Sequence, residues 1–480
     1  MPLMDVLNNS KNLSNTKIDR ILLTICMLFY TIVVAMSLNN PFFWDTILLG
    51  SKAANFFYSQ DLATMFLRPS IDPGHPTLFS YYIAIGWKLI FKHLWVGHLL
   101  MLPILWGIVF QFHKLCKQFL GPMATAVAML LLLLEPTLLA QATMVSPDLL
   151  LVFGFLMALN GIVKQKKWII IIGCILLAMS SLRGIMLCTS LFIVDLLLHK
   201  KWKHIVSYLP AAAVVIAFYG LKYNATGCLL VCENSEWAGG RGFTSLKGMI
   251  RNGGVIGWRF IDFGRIGLWL VAIGIVAINF NNKIQWPINL KSLFKIFVGA
   301  FIPFFIFMVV MNNPIGHRYF MPFFLVFILA ASGLIASINK FNLKVGVVAL
   351  VSVLLITGHL WVYPPTIAQG WDSSLAHVSF FKMDKELEKY MQENKIFIKE
   401  VATEFPITSS FNERWLTHNK EKPVNKDQQP IENFKYVLNS NVINDFTDEE
   451  LAQLKSWPVE WSKSKNKVFL TLHKNPNYRK

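Results

Sequence analysis

The stretch "NNPFFWDT", Asn39–Thr46, sets one carboxylate, Asp45, behind three aromatic residues and just after the first long apolar run. Held at a membrane surface and partly desolvated, such a group could take a proton from an incoming hydroxyl or amine. It could equally cap an interfacial helix beginning "DTILLGSKAANFF". Few other acids compete for a chemical role, because residues 1–363 hold only eleven. Asp5 and Asp19 fall in the N-terminal tail and Asp195 near a cytoplasmic helix end. The remaining suspects are Asp45, Asp61, Asp72, Glu135, Asp148, Glu233, Glu236 and Asp262. Ionisable groups at membrane depth are costly and mark pathways or sites.

Glu135 and Asp148 bracket the turn "EPTLLAQATMVSPD", with Gln141 between them. Pro147 and Asp148 suit the first turn of a helix, where an acid favours the dipole. Glu135 lies in an apolar run with no basic partner nearby in sequence. In "DPGHPTL", His75 precedes a proline and is biased to an extended conformation; it could contact a phosphate or simply be solvated. "GWRFIDFGRIGLW" spaces Arg259, Asp262 and Arg265 three apart, on one face if helical. That face reads either as an ion-pair ladder or as a cationic site for a phosphate at headgroup depth. Arg318 in "GHRYFMP" and Arg183 in "SSLRG" could reach the same phosphate or snorkel.

These residues need a membrane scaffold. The chain has 480 residues, 54% apolar and 15% charged, where a soluble protein carries about 25% charged. Eleven candidate spans cover 20–38, 98–115, 122–140, 146–163, 168–181, 184–198, 204–223, 265–282, 293–311, 318–337 and 344–363. The first reads as a retained signal anchor. Residues 1–363 hold 28 basic and 11 acidic residues, and the lysines cluster in alternate loops, as the positive-inside rule requires. The excess therefore reads as topology and excludes a nucleic-acid footprint. It puts the first loop 39–97, the loop 224–264 and everything after Tyr363 on the extracytoplasmic face. "PTLFSYYIAIGWKLIF" suits a helix lying in the interface. Residues 364–480 carry 17 basic and 16 acidic residues and read as a compact α/β domain of undetermined topology. Its helices are expected in "FFKMDKELEKYMQEN" and "FTDEELAQLKSW", its strands in "IFIKEV", "KYVLNS" and "KVFLTLH". Six scattered cysteines make neither a disulfide framework nor a zinc site. Cys228 and Cys232 could pair in an oxidising compartment or remain free.

Taken together, the motifs resemble the C-type membrane glycosyltransferases (GT-C fold), nearest the protein O-mannosyltransferases and the lipid A aminoarabinose transferases. The resemblance covers about residues 20–363. "FWDT" matches the acidic motif after span one, with Thr46 where many members have a second acid. "GHPTLFSYY" keeps His75 and Pro76 of a His-Pro-Pro motif, with Thr77 in place of the second proline. Glu135, Gln141 and Asp148 keep the spacing of an acid, Gln-Ser-Arg, acid pattern, but Ala142 and Thr143 replace Ser-Arg. "HRYFMP" resembles a late Arg-Tyr-Leu-Leu-Pro pattern. The resemblance implies a multi-pass inner-membrane enzyme that moves a sugar from a polyprenyl-phosphate donor to an extracytoplasmic protein, lipid or glycan acceptor, with inversion. It casts Asp45 as general base, His75, Glu135, Gln141 and Asp148 as substrate contacts, and Arg259, Arg265, Arg318 and Arg183 as phosphate contacts. No cofactor is required; a divalent metal is conceivable but not indicated. The rival readings are a transporter, for which matching inverted halves are missing, and a non-catalytic receptor with a binding tail.

Overall fold

The computed structural model describes residues 2–235, 237–238, 242–281, 288–312 and 315–478. Glu236 and Lys283 lie outside them. The first helix, α1 (Pro2–Ser37), leads into the first loop, which holds α2 (Ala53–Ser59) and α3 (Leu78–Leu89). Asp45 opens not a regular α-helix but a wider π-type turn, Ile47–Lys52. A helix, α3, forms in the segment where one was expected; it buries Phe79, Ile83 and Trp87 and leaves Leu89 exposed.

The helical body continues with α4 (Leu94–Phe119), α5 (Pro122–Leu134), α6 (Pro136–Ala142), α7 (Pro147–Val163), α8 (Lys167–Ser180), α9 (Leu182–His199) and α10 (Leu209–Thr226). It is completed by α11 (Leu246–Ile261), α12 (Ile266–Asn281), α13 (Ile288–Val310), α14 (Met321–Ala336) and α15 (Phe341–Gly358). Helix occupies each of the eleven apolar segments. Among the described residues, six helices are long and apolar enough to cross a membrane by themselves, or up to eight if each bent pair counts as one span. The shorter apolar α7 and α8 pack against each other, and α7 also packs on α4. Many side chains on α10, α12, α13 and α15 are exposed and apolar, such as Ile216, Leu270, Phe294 and Leu350. In a membrane that surface meets lipid.

Two breaks depart from the sequence expectation. The segment 122–140 is bent by 56° between α5 and α6, where Pro136 cannot continue the hydrogen-bond ladder of α5. Glu135 caps the new helix, accepting from the Leu138 amide at 2.6 Å. The second break corrects the shared face of Arg259, Asp262 and Arg265. Helix α11 ends at Ile261, and the chain turns by 86° into α12. Gly264 makes the turn possible with φ of +82°, and a Cβ there would meet the Leu354 carbonyl at 2.0 Å. Arg259 and Arg265 therefore belong to different helices.

The tail forms a five-stranded sheet from β1 (Val401–Thr403), β2 (Val424–Asn425), β3 (Tyr436–Ser440), β4 (Val459–Lys465) and β5 (Val468–Lys474), in the order β2-β1-β3-β5-β4. The β1 pairs are parallel; β3–β5 and β4–β5 are antiparallel. Helix α16 (Val378–Glu393) packs on β4 and β5. Helix α17 (Phe411–Trp415) lies against the first loop, and α18 (Asp448–Leu454) starts with a capping box from Thr447 and Glu450. In "IFIKEV" only the last residue enters a strand, because Ile398–Glu400 form a 3-10 turn. Strand β4, "VEWSKSK", was not expected, since its exposed polar residues hide the strand period.

The tail packs directly against the first loop. The Phe42 amide donates to Arg414 O at 2.9 Å, Ser51 Oγ to Glu413 O at 2.5 Å, and Trp44 packs edge-on against Phe405 at 5.4 Å. Phe43 stacks on His377, whose burial lowers its pKa to about 4 and keeps it neutral.

Candidate active site

Arg318 sits in a 3-10 turn, His317–Phe320, just before α14. Its guanidinium is shared by three carboxylates from distant parts of the chain. Nη2 pairs with Asp45, Nε lies 3.1 Å from Asp148, and Nη1 pairs with Asp372 of the tail. Arg183 adds a second cation, with Nη2 2.9 Å from Asp148 and its guanidinium 3.7 Å above the Tyr319 ring. Three aspartates thus face two arginines. The side chains of Arg318, Asp148 and Asp372 are at most 9% exposed, whereas Asp45 is 24% exposed. Asp45 is the most exposed carboxylate of this group.

Local structure explains each position. Pro147 and Asp148 form the first turn of α7 after the Ser146 cap, as the sequence suggested. Arg183 lies in the first turn of α9, capped by Ser181. Asp372 was missed by the sequence reading, which confined the acid search to residues before 364. The "WDS" turn that carries it is buried, and its carbonyl accepts from Gln141 Nε2 at 2.7 Å. Gln141 is therefore a brace for the tail.

A cleft of about 420 Å³ of empty volume, open mouth included, adjoins the cluster. His75, Ser80, Pro147, Asp148, Ser181 and Arg183 are among its lining. His75 Nδ1 accepts from the Leu182 amide at 3.3 Å. The His75 turn is held from behind: Lys222 pairs with Asp72, Lys222 Nζ donates to Leu230 O at 2.6 Å, and Ser235 Oγ donates to Asp72 O at 2.7 Å. Gly74, with φ of +72°, packs against the Leu230 carbonyl. Cys228 and Cys232 are joined by a disulfide in this same loop.

A second ionic group lies apart from the cleft. Arg265 donates to Glu135 through Nε at 2.9 Å and through Nη2, reaches Thr137 Oγ1, and donates Nη1 to Asp262 O at 3.2 Å. Glu135 thus has the basic partner that its sequence neighbourhood lacks. Asp262 accepts from His317 Nε2 and from the Phe263 amide, each at 2.8 Å, and from the Tyr363 hydroxyl. Arg259 Nε donates to Ile315 O at 2.9 Å. The structure therefore gathers Asp45, Asp148, Arg183 and Arg318 at one centre and puts His75 beside it. Glu135, Arg259 and Arg265 belong to the neighbouring network. Among the described residues no group of three His, Cys, Asp or Glu is arranged for a metal ion; Arg318 fills the space between the three aspartates.

No family model matches this sequence, and no curated protein matches it. Two solved structures are similar over nearly the whole chain. ArnT from Cupriavidus metallidurans in the apo state aligns with a TM-score of 0.51 at 11% identity, over 95% of this chain and 98% of that one. ArnT from the same organism bound to undecaprenyl phosphate gives 0.51 at 13% identity, over 95% and 99%. At such identity the shared property is the fold: this chain is a multi-pass membrane protein of the GT-C fold with a small C-terminal sheet.

Proposed function

We propose that the protein is an extracytoplasmic-facing inner-membrane glycosyltransferase that moves a sugar from a polyprenyl-phosphate donor to a hydroxyl or amine acceptor. The observation that carries this reading is the partly exposed Asp45 carboxylate, held by buried Arg318, whose further partner Asp148 lines the cleft. The GT-C fold, shared with an ArnT that binds undecaprenyl phosphate, supports the donor class. Asp45 Oδ2 faces Arg318, so Oδ1 is the oxygen that takes the acceptor's proton. The acceptor's O–H or N–H bond breaks to Asp45 as its heteroatom bonds the anomeric carbon. The bond from that carbon to the phosphate oxygen breaks, and its electron pair leaves on the phosphate. Attack from the face opposite the phosphate inverts the anomeric centre.

Arg183 is the best-placed cation for that phosphate. It lines the cleft at the start of α9, and its Nη1 has no hydrogen-bond partner among the described residues. The helix N-terminus adds favourable dipole charge. Fixed positive charge at the leaving group stabilises the transition state without proton transfer. In this reading Arg318 is the cation among the carboxylates. Turnover should then survive chelator treatment.

The test is Asp45→Asn, nearly isosteric but unable to accept the proton. General-base catalysis contributes at least ~100-fold, so turnover should fall by that factor while the protein still inserts and folds. Retention of more than about a tenth of wild-type turnover would remove Asp45 from the base role.

A further inference from the structure

The residues around Asp262 do not line the cleft beside Arg183. The segment 315–318 is pinned at successive points: Ile315 O by Arg259, the His317 ring by Asp262, and Arg318 by its three aspartates. His317 is fully buried and packs on Phe263 at 4.7 Å. Asp262 is itself fixed by the Phe263 amide and the Tyr363 hydroxyl, while Arg265 clamps its carbonyl and ties it to Glu135. Three polar groups converge on one buried carboxylate, and the side chain that it orients is bonded in sequence to Arg318. An ionised aspartate accepting from Nε2 also fixes the ring tautomer.

We propose that Asp262 and His317 form a positioning dyad that fixes the Arg318 guanidinium over Asp45, with the Tyr363 hydroxyl bracing Asp262. The proposal rests on the reading of Arg318 and Asp45 given above. In this arrangement Arg259 and Arg265 act on turnover by geometry, not by touching the phosphate. A displacement of ~1 Å at a reacting group, caused by a change remote from it, costs about 100-fold in rate.

The Nε2 hydrogen bond supplies a discriminating pair of variants. In His317→Gln the amide nitrogen can take the place of Nε2 and still donate to Asp262. In His317→Asn the amide nitrogen falls near Nδ1, which has no hydrogen-bond partner among the described residues. Two readouts are needed. The first is phenylglyoxal labelling of Arg318 in the full-length protein, followed by mass spectrometry. Labelling should rise about tenfold in His317→Asn and stay within about threefold of wild type in His317→Gln, taking a released guanidinium to lose its carboxylate partners. The second is polyprenyl phosphate released in membranes of the producing cells. There kcat should fall about 100-fold in the Asn variant with the donor KM within about threefold, and the Gln variant should restore it.

Equal behaviour of the Asn and Gln variants would overturn the dyad. So would unchanged labelling in a folded Asn variant. Should the Asn variant fail to insert, Tyr363→Phe decides, since it removes one donor to Asp262 from a partly exposed ring. Raised Arg318 labelling with an unchanged donor KM supports the dyad, and wild-type labelling overturns it. If Arg318 labelling responds as expected while Asp45→Asn leaves turnover intact, the dyad stands and the glycosyl-transfer reading falls.

Discussion

Arg318 and Arg265 are the same residue type, each begins a helix near one end of the bundle, and each holds a carboxylate from a distant segment. Their surroundings differ. The Arg265–Glu135 pair is almost fully buried, at 3% and 1% side-chain exposure, and lines only a smaller hollow of about 230 Å³, while Asp45 opposite Arg318 is 24% exposed and its cluster borders the larger cleft. Arg265 has its donors occupied by one carboxylate, one hydroxyl and one carbonyl, with Phe324 under the guanidinium at 4.1 Å. Arg318 is divided among three carboxylates, two of them almost fully buried. A satisfied, buried pair fixes geometry. A cation shared by three carboxylates, and held in place itself, leaves the most exposed of them, Asp45, open on one side.

This comparison is broken most directly by exchanging damage between its two sides. Glu135→Ala leaves the Arg265 charge buried and unpaired, which costs about 3–5 kcal/mol. The expected result is lost folded protein, measured by detergent-solubilised yield and melting temperature. Asp45→Asn should do the reverse, keeping the melt and losing turnover. If Glu135→Ala melted like wild type yet was inactive, the buried pair would belong to the chemistry and the contrast would be wrong.

A smaller effect tests the tail's share of the site. Asp372→Asn keeps the size of the side chain and its backbone link to Gln141, but removes one of the charges on Arg318. Turnover should fall about tenfold, since a charge-assisted hydrogen bond is worth about 1.5–3 kcal/mol and two other aspartates still hold the guanidinium. An unchanged rate would make the tail a passive cover over the first loop.

The legible part of this molecule was whatever burial and spacing impose locally. The apolar runs, the helix in "PTLFSYYIAIGWKLIF" and the Pro147–Asp148 helix start follow from short-range rules, and Asp45 stands out because acids are rare before residue 364. What the sequence concealed was pairing. Glu135 and Arg265 are 130 residues apart, and nothing in either neighbourhood names the other. The Arg259–Asp262–Arg265 spacing looked helical because a period of three fits a helix face, but Gly264 breaks the helix inside that pattern. Asp372 was hidden by the charge balance of the tail, where sixteen acids are ordinary.

A milder change concerns the loop behind His75. Cys228→Ser with Cys232→Ser should leave kcat nearly intact, because neither residue touches the Arg318 cluster. The loop would still hold Asp72 and Lys222 but with more freedom, so KM for the donor should rise about two- to fivefold, or about 0.4–1 kcal/mol. A matching fall in kcat would mean that the loop reaches the reacting groups, and that the boundary between site and support lies elsewhere.

The last contrast lies in a third ionic cluster, outside the helical body, and its effect falls on stability, not on turnover. Glu404 follows β1 directly, is 5% exposed along its side chain, and faces Lys426 at 3.8 Å, which also serves Asp427 and Glu450. Here acids outnumber the cation, and burial first, then the Asp427 charge, pushes the Glu404 carboxyl from 4.5 up to about 7. Asp445 is raised by the same two causes. A folded pKa above the unfolded value means that the folded state holds its proton longer. Stability from this group is complete below about pH 4.5, declines between pH 4.5 and 7, and stays lower above pH 7. Glu404→Gln removes the ionisation and leaves Lys426 its contacts with Asp427 and Glu450. At pH 8 the variant should be more stable by on the order of 1–3 kcal/mol, and at pH 4.5 it should match wild type. Melting of the full-length protein, followed through the tail's tryptophans at both pH values, reads this difference. An equal gain at both pH values would trace to packing around Glu404, not to its proton. The contrast between satisfied and overfilled carboxylate clusters would then apply only to the two clusters of the helical body.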